Sequence, residues 1–301
     1  MYRLAWFTDI HLNFVRIPDP GGVFARYMQR EWPSDGVVLT GDISEAPTLH
    51  EHLAGFEEGT GLDKPTYFVL GNHDYYHGSF ETSQRIAAAH AGWLQNKVVL
   101  ITEDWALVGN EGWYDAHHGR PYEPKFGMSD WMDIQEFAQL PLSPFWNPRT
   151  KKLDRKGRDL LIDICRARSA SLALAAEEKL LEAINLRKRV IFATHVPPFE
   201  GAAWHEGKLS APMWIPWFSS KLMGDMLLRV MGQHPEHRLL VLCGHTHSSG
   251  ICRPLPNLTV ITGEAKYRAP DVAGRIILDG PEVQLGLRSL GSFTAIQPFL
   301  V

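Results

Sequence analysis

Five times along this chain a short apolar run stops at a cluster of polar residues that can bind a metal or move a proton. Leu4 to Thr8 runs into Asp9-Ile10-His11, Gly36 to Thr40 into Gly41-Asp42, and Thr66 to Leu70 into Gly71-Asn72-His73-Asp74. Arg189 to Thr194 ends at His195, and Leu239 to Cys243 at Gly244-His245-Thr246-His247. Runs this short, rich in β-branched and aromatic residues and bounded by glycine and polar side chains, have the composition of buried strands. Between them the apolar spacing predicts helices over Phe24 to Trp32, Glu45 to Glu58 with Ser44 as its cap, Ser79 to Trp93, a long one ending near Arg187, and Lys221 to Met231. Strand, polar loop and helix in alternation is the α/β rhythm. In such a sheet the ligand crevice lies beyond the carboxyl ends of the strands, so residues far apart in sequence can meet there.

The five clusters differ in information. Asp-x-His is expected about 0.7 times by chance at this composition, and a second copy occurs at Asp115-Ala116-His117, so alone it carries nothing. Gly-His-x-His is expected about 0.06 times, and Gly-Asn-His-Asp about 0.0015 times. Asn72 offers an amide oxygen, His73 a transferable proton, and Asp74 a carboxylate able to hold that histidine in one tautomer. Residues two apart on an extended segment face opposite ways, so His245 and His247 share a site only at a turn, or by reaching different metals.

The chain of 301 residues has 45% hydrophobic and 21% charged residues, as a globular protein does. Its formal net charge of -4 gives no general attraction for nucleic acid or anionic lipid. Cys165, Cys243 and Cys252 show no Cys-x-x-Cys spacing, so neither a disulfide framework nor a thiolate zinc site is indicated. No apolar stretch is long enough for a membrane span and the amino terminus has no long apolar core, so a soluble, cytoplasmic protein is the expectation. Lys97 to Thr102 and Trp105 to Gly109 form a predicted hairpin, and the apolar runs at Leu258 to Thr262, Arg275 to Leu278 and Val283 to Leu287 suggest a β-meander. Two stretches break the rhythm, 111–158 and 196–220, both rich in Trp, Tyr, Phe and Pro; a short helix is predicted inside the first, from Ser129 to Leu140. They are expected to be cap or lid insertions in a single domain spanning 1–301.

Taken together and in order, Asp9-Ile10-His11, Gly41-Asp42, Gly71-Asn72-His73-Asp74, His195 and Gly244-His245-Thr246-His247 resemble the calcineurin-like metallophosphoesterase superfamily. The resemblance implies a four-layer α/β/β/α sandwich of two mixed sheets flanked by helices. It also implies two divalent metal ions: Asp9, His11 and His247 on one, Asn72, His195 and His245 on the other, and Asp42 bridging both. His73 matches the family's non-ligand histidine, which contacts the phosphoryl group or the leaving oxygen, and Asp74 would orient it. Ile43-Ser44-Glu45 after Gly41-Asp42 departs from the purple acid phosphatases and from the Ser/Thr protein phosphatases, and His73 argues against the diacylglucosamine pyrophosphatase branch. The imidazole, carboxylate and amide set suits Mn²⁺ first, with Fe, Zn²⁺ or Co²⁺ as alternatives.

The expected substrate is a small phosphoester, with diesters favoured. Trp113, Tyr114, Trp204, Trp214, Trp217 and Phe218 are expected to wall the pocket, and His117, His118 and Arg120 to contact the substrate. The alternatives are a phosphomonoesterase, a nuclease using a local basic stretch (His117, His118, Arg120, Lys125, Lys151, Lys152, Arg155, Lys156), or a scaffold that has lost catalysis. The scaffold would require a missing ligand, and none is missing.

Overall fold

The computed structural model describes residues 1–123, 127–147 and 152–287. Strand alternation builds three cores from two sheets. Along Tyr2–Phe7, Leu4 and Trp6 point to one face and Ala5 and Phe7 to the other. Leu4 and Trp6 pack against Trp105, Leu107, Ile191, Leu240 and Leu242 of the facing sheet, and form the core between the two sheets. Ala5 and Phe7 pack under the helices Pro20–Glu31 and Leu49–Thr60, through Phe24, Met28, Leu53 and Phe56. On the far side, Val190, Phe192, Leu239 and Val241 face Ala176, Leu180, Met226 and Leu227 of the helices Arg155–Leu186 and Lys221–Gln233. The result is the α/β/β/α sandwich.

The first sheet has the order Glu282–Leu287, Gly274–Asp279, Tyr2–Phe7, Gly36–Thr40, Thr66–Val69, its last three strands parallel. The second has the order Gly250–Leu255, Leu258–Thr262, Arg238–Cys243, Arg189–Ala193, Trp105–Gly109, Val98–Leu100, with four parallel strands in the middle. The predicted hairpin is present as Val98–Leu100 against Trp105–Gly109. The parallel blocks of both sheets deliver their carboxyl ends to the same edge of the sandwich, where the polar clusters lie.

Some expectations fail. The β-meander is divided between the sheets: Leu258–Thr262 runs parallel to Arg238–Cys243 in the second, while Gly274–Asp279 and Glu282–Leu287 close the first. The helix expected from Glu45 starts at Leu49: Ala46 precedes Pro47, which disfavours helical backbone there, and the Ala46 N–H donates to Tyr76 O at 3.1 Å. Ser79 does cap its helix, accepting from Thr82 N, but the helix ends at Ala88. The segment from Ser129 to Leu140 is two short helices, interrupted at Ile134, whose backbone bridges to Gly78. No helix among the described residues is long and apolar enough to cross a membrane.

Candidate metal centre

The parallel strands Tyr2–Phe7, Gly36–Thr40 and Arg238–Cys243 end in sharp left-handed turns. Asp9, His11, Asp42, His245 and His247 all have positive φ, from 43° to 71°. Asp and His tolerate this region better than most residues, yet each such residue costs about 1–2 kcal/mol. The turns cancel the alternation of an extended strand, so that Asp9 and His11, two apart, face the same space, as do His245 and His247. Glycine lets the turns approach one another: a Cβ on Gly71 would stand 2.2 Å from Asp42 Oδ1, and one on Gly244 1.9 Å from Thr8 Oγ1. Asp9 and His11 donate backbone N–H to Gly41 O and Asp42 O, and His245 N donates to the Asp9 carboxylate, which ties the two sheets together.

The side chains fall into two groups. Asp9, His11, Asp42 and His247 each present a ligand atom within 4.8 Å of the others. His247 Nε2 lies 3.2 Å from His11 Nε2 and 3.3 Å from Asp9 Oδ1. In the second group, Asn72 Oδ1 lies 3.0 Å from His195 Nε2 and 2.9 Å from His245 Nδ1, and the two ring nitrogens are 3.2 Å apart. The far nitrogens settle the tautomers. His195 Nδ1 faces Thr40 O at 2.9 Å and His245 Nε2 faces Trp217 O at 2.9 Å, and a carbonyl oxygen can only accept, so both of those nitrogens carry the hydrogen. His195 Nε2, His245 Nδ1 and Asn72 Oδ1 then point three lone pairs at one another with no proton between them. That contact is repulsive unless a cation occupies its centre, so the residues fit a metal ion. Asp42 faces both groups, Oδ1 3.4 Å from His195 Nε2 and Oδ2 3.8 Å from His11 Nε2.

The electrostatics agree with that fit. Burial pushes the Asp42 carboxyl well above its usual range, and Asp9 and Asp74 push it further. Burial acts the same way on Asp9, but His247, His195 and His11 outweigh it and hold that carboxyl low. Burial depresses His11 and His195, and takes His245 down to about 3, so these rings stay in the neutral, ligand form. A cation between the groups would supply the charge that Asp42 lacks.

His73 stands beside both groups. Its backbone N–H donates to Asp42 Oδ1 at 2.8 Å, its ring stacks on Tyr76 at 4.2 Å, and its buried Nδ1 has no hydrogen-bond partner. Asp74 does not orient it. Both Asp74 oxygens accept backbone N–H groups, Oδ1 from Ile43 and Ser44 and Oδ2 from Gly71, so Asp74 pins the Asp42 loop to the Asn72 loop.

An open cavity of about 270 Å³ leads to the site, lined by Asp42, Asn72, His73, His245 and His247 at its floor. Three residues expected to contact substrate do not line it: His118 is bonded to Ser219 Oγ, His117 lies 3.4 Å from Asp115, and Arg120 pairs with Glu123 at the surface. Trp113, Tyr114 and Trp217 are buried in the core, and Trp204 and Trp214 do not line the cavity either; of the expected wall only Phe218 does. Of the basic stretch, Lys125 and Lys151 lie outside the described residues, as does the Lys152 side chain, and Arg155 lies over the Tyr122 ring. The rest of the wall, which includes Tyr76, Gly127 to Asp130, His205 and Tyr267, was not anticipated; Tyr267 lies over His11 at 4.5 Å and over His247 at 4.7 Å. Only Tyr76, two residues beyond Asp74, had a sequence signal.

In fold the chain is similar to a dimetal phosphatase from Danio rerio, with TM-score 0.56 and 15% identity over 94% of this chain and 95% of that one. It is also similar to a phosphopantetheinyl hydrolase from Mycobacterium tuberculosis, with TM-score 0.56 and 13% identity over 88% and 89%. No curated protein sequence matches significantly. The family model for calcineurin-like phosphoesterases matches residues 2–249, which takes in all five strand ends and both groups of ligand atoms. The chain therefore belongs to the calcineurin-like phosphoesterase family and is a hydrolase acting on phosphoesters.

Proposed function

We propose that the protein is a two-metal hydrolase of small phosphoesters, with diesters preferred to monoesters. The observation that carries this reading is the pair of convergent ligand-atom clusters that share Asp42. In it, Asp9, His11 and His247 would hold one divalent ion, Asn72, His195 and His245 the other, and Asp42 would reach both. Bound there, such ions supply Lewis acidity toward the phosphoryl oxygens and toward water. The protein's own groups do the rest. The Thr40 and Trp217 carbonyls hold His195 and His245 in the ligating tautomer. His73, held at the floor by its bond to Asp42 and its stack on Tyr76, presents its ring to the phosphoryl group or to the departing oxygen. The two insertions supply walls, Gly127 to Asp130 from one and His205 with Phe218 from the other.

The preference for diesters rests on charge. Among the described residues lining the cavity there is no Lys or Arg, and Asp130 adds an acid. A monoester dianion needs more positive charge than a diester monoanion, and these walls do not provide it. Nor do they offer a basic track for a polymer. The donor set is satisfied by Mn²⁺, with Fe, Zn²⁺ and Co²⁺ as competitors.

The test is to strip the protein with chelator, reconstitute it with each metal, and compare turnover of mono- and bis-(p-nitrophenyl) phosphate, cyclic nucleotides and single-stranded DNA. Two equivalents of metal and faster diester turnover are expected. Cleavage of DNA alone would remove the small-substrate assignment, and a large excess of monoester turnover would remove the diester preference.

A further inference from the structure

An asparagine amide has two ends of nearly equal size, and only the oxygen end can bind a cation. At Asn72 it is Oδ1 that faces His195 Nε2 and His245 Nδ1. What turns it that way lies behind it. Asn72 Nδ2 donates to the Tyr76 hydroxyl oxygen at 3.2 Å, the Tyr76 hydroxyl donates to Asp130 Oδ2 at 3.3 Å, and the Asp130 carboxylate also acts on the Asn72 amide directly. The direction of this relay is decisive. Tyrosine has a single hydroxyl hydrogen; once it is given to a carboxylate, the oxygen shows Asn72 only lone pairs and accepts only N–H. Without the carboxylate, that hydrogen is free to turn to Asn72, where it would favour the flipped amide and put Nδ2 against the lone pairs of the two histidines.

The rest of the surroundings hold the relay in place. The Tyr76 ring is clamped by its stack on His73 at 4.2 Å, which fixes the position of its hydroxyl oxygen between Asn72 and Asp130. Asp130 is 1% exposed, so water does not compete for the bond. It comes from the first irregular stretch, 54 residues beyond Tyr76, and its neighbour Trp131 packs edge-on against the buried Trp217, whose carbonyl holds His245.

We propose that Asp130, acting through the Tyr76 hydroxyl, is a positioning residue that fixes the oxygen end of Asn72 toward His195 and His245. The inference rests on the two-metal reading. It makes one metal position depend on the insertion, while the position formed by Asp9, His11 and His247 does not.

The experiment is a calorimetric titration of Mn²⁺ into chelator-stripped full-length protein, with thermal melts of the metal-free forms as a check on folding. Tyr76→Phe and Asp130→Leu should each weaken the second equivalent by about 10–100-fold, the usual cost of losing a partner behind a metal ligand, and leave the first unchanged. Asp130→Asn keeps an acceptor oxygen for Tyr76 and should recover most of the affinity. Asn72→Asp has two equivalent oxygens and needs no orienting, so in that background Tyr76→Phe should carry no penalty. Wild-type isotherms for Tyr76→Phe and Asp130→Leu would overturn the proposal. So would equal weakening of both equivalents, which is the mark of a packing role, or a penalty that persists beside Asn72→Asp. A wild-type protein that takes up a single equivalent would refute the two-metal reading, and this inference would fall with it.

Discussion

His73 touches the site without joining either cluster of ligand atoms, and that separates two experiments. His73→Ala should keep both metals and lower kcat by about 10²–10⁴, the range for general acid catalysis. Asp42→Asn, at the shared position, should abolish turnover and lower metal stoichiometry with the circular dichroism spectrum unchanged; wild-type metal content and turnover would refute its bridging role. Burial, then the charges of His247 and His195, bring His73 down to about 3. An unfolded chain takes up this proton near pH 6.5 and the folded one only near 3, so between these values the residue costs stability as pH falls. In chelator, the melting temperature of His73→Phe should therefore gain on wild type from pH 7 to pH 4; a constant gap would show that His73 does not titrate this way. The residues of the two clusters were legible in the sequence because donor chemistry coincided with strand ends. His117, His118 and Arg120 have the right chemistry, but on an irregular segment nothing local fixes the direction of a side chain, and theirs turn to Asp115, Ser219 and Glu123.

The long helix Arg155–Leu186 does more than cover the second sheet. Arg168 donates to the buried Glu111 carboxylate, which also accepts the Tyr75 hydroxyl, and its guanidinium lies over Phe80 at 3.5 Å and Trp113 at 4.8 Å. The Glu111 carbonyl in turn accepts the backbone N–H of His195 at 2.9 Å. Arg168→Met would leave a buried carboxylate without its cation, and should cost about 3–5 kcal/mol in chemical denaturation. A loss below 1 kcal/mol would mean the pair is not a structural anchor. Strand and helix periods made these elements visible in outline. Partners were less visible: Leu258–Thr262 and Gly274–Asp279 have similar apolar patterns, yet they join different sheets, because a strand's pattern records that it is buried and not against what. The tryptophans misled for the same reason. Trp113 and Trp217 are large apolar groups beside the site, and the core, rather than the cavity, took them.

At the scale of the whole molecule, the first sheet supplies Asp9, His11, Asp42 and Asn72, and the second His195, His245 and His247. Metal bound by the proposed ligand set would staple the sheets across their shared edge. At a metal concentration 100 times Kd each ion should add about 2.7 kcal/mol to folding. Thermal melts of wild type with and without Mn²⁺ should separate by several degrees, and Asp42→Asn should show little of this shift. The same division has a consequence in time. Asp9 and His247, whose side chains meet at 3.3 Å, stand at opposite ends of the family match, so a chain leaving the ribosome carries its early ligands long before their partners exist. With the proposed ligand set, full metal loading would wait until residue 247 has emerged and the second sheet has docked. A fragment of residues 1–243 that held metal at full stoichiometry would contradict this order of assembly.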